Sequence, residues 1–273
     1  MSTTGNLPTP VKAAPRSLPA SSIVAILVAL ALVAVMAAGP LMRWRRDEPG
    51  VVIERLMWPI AAMLATGAGV FVMAGPVAPL PLAGMALAAG VAVASVAPLA
   101  RRNLRRTPLF LWGMVVAHLG IAVSLAGMAA SSAFTQETLV AVGTGDPARV
   151  SGFTVRLDGV KPVVGDNWTA LEGRLSVEHG DDRFVLRPQV RYFTDPPTST
   201  NESAIATLAG GQLYTVLGAL GDDGRWQLRL WWKPFVTWIW AGGALIAIGG
   251  ALSLLGHVRR DRRQARGRAE AMA

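Results

Sequence analysis

Five long apolar segments dominate this 273-residue chain, and each is about as long as a helix that crosses a lipid bilayer. Four lie in the first half of the chain, and the fifth follows the polar region 132–233. The segments are Ser22–Met42, Leu56–Pro76, Leu80–Ala100, Pro108–Ser131 and Pro234–Gly256. This pattern predicts an α-helical integral membrane protein with five transmembrane helices, four of them within residues 22–131 and the fifth at 234–256.

Arginine-rich sequences predict which ends of these helices face the cytoplasm. "RWRRDE" follows the first segment, "RRNLRR" separates the third and fourth, and "HVRRDRRQARGR" follows the fifth. Because arginine is enriched on the cytoplasmic side of membrane helices, all three sequences are expected there. Alternation of five spans then makes the N-terminal tail 1–21 and the region 132–233 extracytoplasmic, and the basic tail 257–273 cytoplasmic.

The formal net charge of +9 comes from these basic segments rather than from the region 132–233. Basic residues beside membrane helices contact anionic lipids, whereas a nucleic-acid-binding domain carries a basic stripe on its folded surface. We therefore expect the lipid bilayer as a partner and no nucleic acid. The sequence contains no cysteine, which excludes disulfides, thiolate metal sites, cysteine nucleophiles and a c-type haem attached to this chain.

The first apolar segment has two interpretations. A cleaved signal peptide carries positive charge before its apolar core, but here "RWRR" comes directly after the core. This order favours a helix that is retained.

The region 132–233 is typical of a small all-β domain. Seven short segments alternate apolar and polar residues, and turn sequences such as "HGDD", "DPPTS", "AGG" and "GDDG" separate them. The segments are "ETLVAV", "FTVRLDGV", "WTALEGRLSVEHG", "RFVLRPQVRYF", "SAIATLA", "LYTVLGAL" and "RWQLRLWW". We expect an antiparallel sandwich or barrel between the fourth and fifth helices. It shows no catalytic constellation, and His179 in "HGDD" is expected to be polar surface, so the catalytic residues remain unknown.

One histidine, His118, interrupts the fourth apolar segment. It lies ten residues after Pro108, which at about 1.5 Å per residue is roughly 15 Å into the span, near the bilayer midplane. An ionisable residue at this depth indicates a functional site, although a hydrogen bond between helices is the simpler alternative.

Helical geometry divides the fourth segment into two faces. A stripe of small residues would let another helix approach closely. It consists of Gly113, Ala117, Gly120, Ser124 and Gly127. His118 points away from this stripe, on an apolar wall formed with Leu111, Met114, Val115, Ala122 and Leu125.

Such a wall would suit a flat macrocycle, and imidazole is a common axial ligand of haem iron. Coordination of a haem iron by His118 is therefore one hypothesis for this face, and the interhelical hydrogen bond is the other. The other histidines, His179 and His257, are expected outside the membrane and at the cytoplasmic end of the fifth helix. The second axial ligand is then expected from a partner chain.

Four stretches, in order along the chain, resemble the cytochrome c maturation protein F family, the haem lyase component of bacterial cytochrome c assembly. They are "GPLMRWRRD", "AHLGIAVSLAGMAASSAFTQETLV", "RPQVRYFTDPPTSTNESAI" with "LYTVLG", and "RLWWKPFVTWIWAGGALIAIGG". The resemblance runs from about residue 39 to 256 and covers only the C-terminal part of the family's usual length. Residues 1–21 do not share it, which suggests a split-gene product, a fragment or a drifted relative.

The resemblance implies that His118 matches one of two transmembrane histidines that hold a b-type haem, which reduces the incoming haem before its attachment. The second histidine and the family's tryptophan-rich haem-handling segment have no counterpart here, and "LRLWWKP" lacks that segment's pattern. The implied partners are an N-terminal-half haem lyase protein, a haem chaperone, other maturation proteins and apocytochrome c. Haem lyase activity is expected only together with that N-terminal half, in the bacterial inner membrane.

Two other functions compete with this one. A non-catalytic scaffold of cytochrome c assembly would use His118 only for a structural hydrogen bond. A transporter or channel is disfavoured, since the spans hold no second buried charge and show no inverted repeat.

Overall fold

The computed structural model describes residues 20–38, 49–100 and 102–272. Within these ranges the chain forms two compact units. One unit contains the helices on both sides of the strand-forming region, and the other contains residues 134–234. The sequence "RWRRDE" and most of the N-terminal tail lie outside the described residues.

The first unit contains five α-helices in the described part of the chain. They are α1 (Ala20–Ala38), α2 (Pro49–Ala74), α3 (Pro79–Val96), α4 (Leu109–Phe134) and α5 (Val236–Met272). Short 3₁₀ turns at Ala97–Leu99 and Leu104–Arg106 join α3 to α4. Each of the five apolar segments predicted from the sequence therefore corresponds to a helix in the structure.

Four of these helices are long and apolar enough to cross a membrane. The spans are Gly50–Ala74, Pro79–Leu99, Leu109–Phe134 and Val236–Arg262. The remaining apolar helix, Val24–Met36, is shorter, and the end of the expected segment Ser22–Met42 falls outside the described residues. The structure thus supports four membrane-capable helices where the sequence predicted five.

Several helices extend beyond their apolar segments. The structure starts α2 at Pro49 and continues α5 to Met272, although apolar residues alone placed these limits at Leu56 and Gly256. The added stretch of α5 is rich in arginine and alanine, which are good helix formers. Hydropathy locates the bilayer-spanning part of a helix but does not determine where its backbone hydrogen bonding ends.

The predicted close approach to α4 is confirmed, and the approaching helix is α5. A Cβ atom at Gly120 would lie 2.6 Å from the carbonyl oxygen of Gly242, and one at Gly249 would lie 2.6 Å from that of Gly113. The Ser124 hydroxyl also donates a hydrogen bond of 3.2 Å to the Ile239 carbonyl. Glycines on both helices therefore bring the two backbones into contact.

A different face of α4 packs against the preceding helices. Ala122 is buried with Leu87 and Val91 of α3. Partly buried side chains from α1, α2 and α4 surround this cluster, among them Leu30, Val33, Met63 and Leu125. Helix α4 is accordingly held on two sides, by α5 through glycine and by α3 through apolar side chains.

The second unit is a β-sandwich of ten strands. They are β1 (Gln136–Val142), β2 (Pro147–Val150), β3 (Phe153–Val164), β4 (Trp168–His179), β5 (Asp182–Leu186), β6 (Gln189–Thr194), β7 (Pro197–Glu202), β8 (Ala204–Leu208), β9 (Gly211–Leu220) and β10 (Trp226–Pro234). One sheet has the order β1-β10-β9-β8, and the other has the order β2-β3-β4-β6-β7 with β5 paired to β4. Neighbouring strands are antiparallel throughout.

Both sheets contribute to a single apolar core. Leu213, Leu228 and Leu230 from the first sheet pack with Phe153 and Leu175 from the second. The Thr138 hydroxyl in β1 donates a 2.9 Å hydrogen bond to the Arg149 carbonyl in β2, which also links the sheets. The predicted sandwich or barrel is therefore a sandwich.

Ten strands replace the seven that the sequence pattern predicted. The segment "RFVLRPQVRYF" is two strands, because Pro188 has no N–H for ladder pairing and lies between β5 and β6. In "DPPTS", the turn is limited to the cis Asp195–Pro196 bond, and β7 begins at Pro197. The four-residue strand β2 is too short for its alternation to be recognised.

The junction after the sandwich also differs from expectation. Lys233–Pro234 was expected to open the fifth helix, but Pro234 ends β10 and Phe235 adopts a φ of 61° before α5 starts at Val236. Trp231 and Trp232 consequently belong to the sheet. Only Trp238 and Trp240 remain as exposed aromatic residues in the first turns of α5.

We predict that Gly249→Ala destabilises the helical unit, because its methyl group would meet the α4 backbone, and overpacking of this kind costs about 1–3 kcal/mol. Gly250→Ala is the matched control, since a Cβ there meets no atom within 4 Å. Thermal unfolding of both variants in detergent, followed by circular dichroism, should show a lower midpoint for Gly249→Ala alone. Equal midpoints would contradict the close α4–α5 packing.

Candidate functional site

His118 is the candidate site residue, and the structure places it within α4. Its side chain is half-buried. The Nδ1 atom lies 2.8 Å from the backbone carbonyl oxygen of Met114, one turn earlier on the same helix. No hydroxyl from another helix is recorded at this ring among the described residues, so the simple interhelical hydrogen bond is not what the structure shows.

This contact determines which ring nitrogen is protonated. A carbonyl oxygen only accepts hydrogen bonds, so Nδ1 carries the hydrogen and Nε2 keeps its lone pair in the neutral ring. Metal-binding histidines commonly donate their other ring N–H to a backbone carbonyl, which fixes the tautomer and the orientation of the ring. His118 therefore has the tautomer of a ligand that binds through Nε2.

The apolar wall expected around His118 is only partly free. Val115 and Ala122 are 2% and 3% exposed, and Ala122 is covered by Leu87 and Val91 of α3. Leu111 and Met114 remain half-exposed, as His118 itself does. The expected apolar face is therefore partly covered, because helical periodicity shows which residues share a face but not which neighbour covers it. The imidazole lies at the edge of the packed surface.

The structure does not bring His257 to His118. The His257 ring contacts Phe110, with 5.4 Å between ring centroids, and its Nδ1 lies 2.8 Å from the Ser253 carbonyl oxygen. Phe110 precedes His118 by two helical turns, which is about 12 Å along α4. His257 is exposed, as expected from its place before the arginine-rich tail.

His179 differs from its expected role as polar loop surface. It is the last residue of β4, and its ring stacks on Phe153 with 3.9 Å between centroids. Its Nδ1 is buried without a hydrogen-bond partner among the described residues. The tight β4–β5 connection leaves His179 in the ladder opposite Asp182, so it packs against the sandwich core instead of projecting into solvent.

No group of three or more histidine or acidic residues in the described part of the chain is arranged to hold a metal ion. His118 is therefore a single donor, which suits one axial position of a haem and not a metal site built from several protein ligands.

One group of side chains was missed in the sequence pattern. Alternate residues of β10, namely Arg229, Trp231 and Lys233, line a cavity of about 490 Å³ on the outer face of the four-stranded sheet. The signal was present in "RLWWK", where apolar core residues alternate with these three. This alternation was not interpreted as a binding surface, because tryptophans beside an apolar helix resemble the aromatic belt that lies at a membrane surface.

The tautomer of His118 can be measured directly. We expect the full chain with ¹⁵N-labelled histidine, reconstituted in lipid, to show an unprotonated Nε2 and a protonated Nδ1 for this residue by solid-state NMR. The two signals should disappear in His118→Ala. A protonated Nε2 in the neutral ring would contradict the hydrogen bond to Met114.

Comparisons with known proteins bear on both units. Residues 133–234 match the family model described as the CcmF C-terminal beta-sandwich. The chain is 34% identical over 223 residues to the cytochrome c-type biogenesis protein CcmF of Escherichia coli (strain K12), an alignment that covers 80% of this chain and 34% of that protein. It is 33% identical over 248 residues to the cytochrome c-type biogenesis protein CycK of Bradyrhizobium diazoefficiens, covering 84% and 36%.

A solved structure of Cytochrome c Heme Lyase CcmF shares the fold. The TM-score is 0.68 at 20% sequence identity, over 87% of this chain and 40% of that chain. This chain thus spans about a third of the length of the curated relatives it matches. The resemblance found in the sequence is confirmed: the chain is a member of the CcmF family of cytochrome c-type biogenesis proteins and corresponds to their C-terminal part, including the β-sandwich.

Proposed function

We propose that this chain acts as the C-terminal part of a cytochrome c haem lyase, in which His118 is one axial ligand of a b-type haem. The observation that carries the proposal is the half-buried imidazole on α4 whose Nδ1 donates to the Met114 carbonyl, leaving Nε2 for iron. When bound, such a haem supplies one-electron redox chemistry.

The chain's own residues orient the ligand. The Met114 carbonyl fixes the tautomer and the direction of the ring, and hydrogen bonds of this kind raise ligand basicity. Glycine contacts with α5 and apolar contacts with α3 hold α4 from two sides, so the position of the ring follows from the packing of the whole helical unit.

The second axial ligand comes from a partner chain under this proposal. His257 contacts Phe110 two turns away and does not lie opposite His118. Met114 shares a helix face with His118 and reaches the same side of the iron. An N-terminal-half haem lyase protein is the expected source, and haem lyase activity depends on that partner.

The reaction proposed for the assembled enzyme is covalent attachment of haem to the reduced thiols of apocytochrome c as thioethers. This chain contributes no cysteine to it. Its part is to hold the b-type haem and to present the sandwich to other proteins of cytochrome c assembly, among them a haem chaperone and apocytochrome c.

We place the chain in the bacterial inner membrane with five spans, the sandwich outside the cytoplasm and the C-terminus inside. The contact between Phe110 and His257 puts the arginines before α4 and those after His257 at the same end of the α4–α5 pair. Both basic groups therefore face one side of the membrane, as the distribution of arginine requires.

The haem assignment predicts a b-type signal in the reduced-minus-oxidised absorption spectrum of membranes that contain this chain together with the N-terminal part of a family member. The signal should be lost in His118→Ala, because one axial ligand is removed. His257→Ala is the matched control and should retain it, since among the described residues that ring contacts Phe110 and its own helix.

A b-type signal that persists unchanged in His118→Ala would instead favour the scaffold function with a structural histidine. In either case, expression and thermal stability of His118→Ala should stay close to those of the parent, because the ring is half-buried and its hydrogen bond within the described part of the chain is to its own helix.

The topology can be tested with single cysteines, because the chain has none of its own. Asp222 lies in an exposed turn of the sandwich and Asp261 on the exposed extension of α5. We expect a membrane-impermeant maleimide to label Asp222→Cys in intact spheroplasts and Asp261→Cys only after the membrane is disrupted. The reverse pattern would invert the proposed orientation.

A further inference from the structure

The cavity on the outer face of the four-stranded sheet has the features of a ligand site. Its volume of about 490 Å³ falls within the range of small-molecule pockets, roughly 300–1,000 Å³. Its lining combines apolar, aromatic and cationic side chains, including Leu139, Tyr214, Val216, Arg229, Trp231 and Lys233.

Strand alternation builds this face. Leu228 and Leu230 of β10 point into the sandwich core, and Arg229, Trp231 and Lys233 therefore point to the opposite side of the sheet. The antiparallel register sets Val216 beside Arg229 and Tyr214 beside Trp231. Side chains from β1, β9 and β10 thus converge on one surface.

The two cations of this face have different environments. Arg229 lies over the Trp231 ring, 4.6 Å from its centroid, and its Nε is 2.5 Å from a carboxylate oxygen of Glu137. Lys233 lies over the Tyr214 ring, with its Nζ 4.3 Å from the centroid. No carboxylate pairs with Lys233 among the described residues, so its ammonium group is the one available to an anion.

Neighbouring hydrogen bonds keep the Lys233 end of the cavity ordered. The Tyr214 hydroxyl donates to the side-chain oxygen of Gln212 at 2.8 Å, and the Gln212 amide donates to Thr207 at 3.0 Å. The Tyr214 ring beneath the ammonium group is therefore held in place. Binding of a ligand then costs little side-chain conformational entropy at this end of the cavity.

We propose that this cavity binds an amphipathic carboxylate, a ligand in which a carboxylate adjoins an apolar body. Lys233 binds the carboxylate through a charge-assisted hydrogen bond, and Leu139 and Val216 contact the apolar body. The ligand class follows from the cavity alone; the choice of a porphyrin carboxylate within that class rests on the proposed function.

The cavity lining contains no histidine, cysteine or methionine. Binding there consequently needs no iron, and a metal-free porphyrin is the appropriate probe. This property separates the cavity from His118, whose proposed role requires coordination of iron.

The experiment uses the full chain in lipid nanodiscs and metal-free coproporphyrin, a water-soluble porphyrin carboxylate, with binding followed by porphyrin fluorescence anisotropy against empty nanodiscs. We expect saturable binding that Lys233→Met weakens about tenfold. Lys161→Met is the matched control, because Lys161 lies on the other sheet and pairs with Glu172 at 3.5 Å, so its loss should leave the affinity unchanged.

Salt provides a test that needs no variant. Raising the salt concentration should weaken binding to the parent chain if a carboxylate–ammonium contact contributes, because mobile ions screen such contacts. Absence of saturable binding, or binding that neither salt nor Lys233→Met weakens, would overturn the proposal. His118→Ala should bind the probe as the parent does, so failure here and failure of the haem assignment are distinguishable.

Discussion

The close packing of α4 against α5 is the interaction on which the candidate site depends. Glycines on both helices let the backbones meet, and a single added methyl group at Gly113, Gly120 or Gly249 would enter the opposing backbone. This contact settles the rotation of α4, so the face that carries His118 is turned away from α5. Packing against α3 then covers Ala122, on the same side of α4 as the histidine. The imidazole is positioned by helix packing and not by a dedicated loop.

Under the proposed function, His118 supplies one of the two axial ligands of a haem. Its Nδ1 is engaged by a carbonyl of its own helix, and a hydrogen bond of that kind suits an imidazole that ligates through Nε2. The described residues offer no second ligand opposite it, since His257 contacts Phe110 two turns away. The chain spans about a third of its relatives' length, and the proposed single ligand therefore calls for a site completed by another polypeptide segment. This is the physical reason for assigning haem lyase activity to an assembly.

One strand, β10, serves two purposes in the sandwich. Its inward residues Leu228 and Leu230 are fully buried in the core, while its outward residues Arg229 and Lys233 are placed over aromatic rings. The strict alternation of a β-strand allows both, because successive side chains lie on opposite faces. The same strand leads through Phe235, which has a positive φ, into α5. The seven residues "LRLWWKP" thus contribute to the sandwich core, to the outer face of the four-stranded sheet and to the connection with α5.

The sequence by itself determined the order of apolar helices, the all-β region between the last two, the small-residue stripe on α4 and the place of His118 on a different face of that helix. These features depend on hydropathy and on periods of 3.6 and 2 residues, which are local properties. Only the tertiary structure decided that α5 covers the stripe, that α3 covers part of the apolar face beside His118, that His179 stacks on Phe153 and that Pro234 ends β10 instead of opening α5. Each of these depends on residues distant in sequence, such as Gly120 and Gly242, and periodicity contains no information on which distant partner covers a given face.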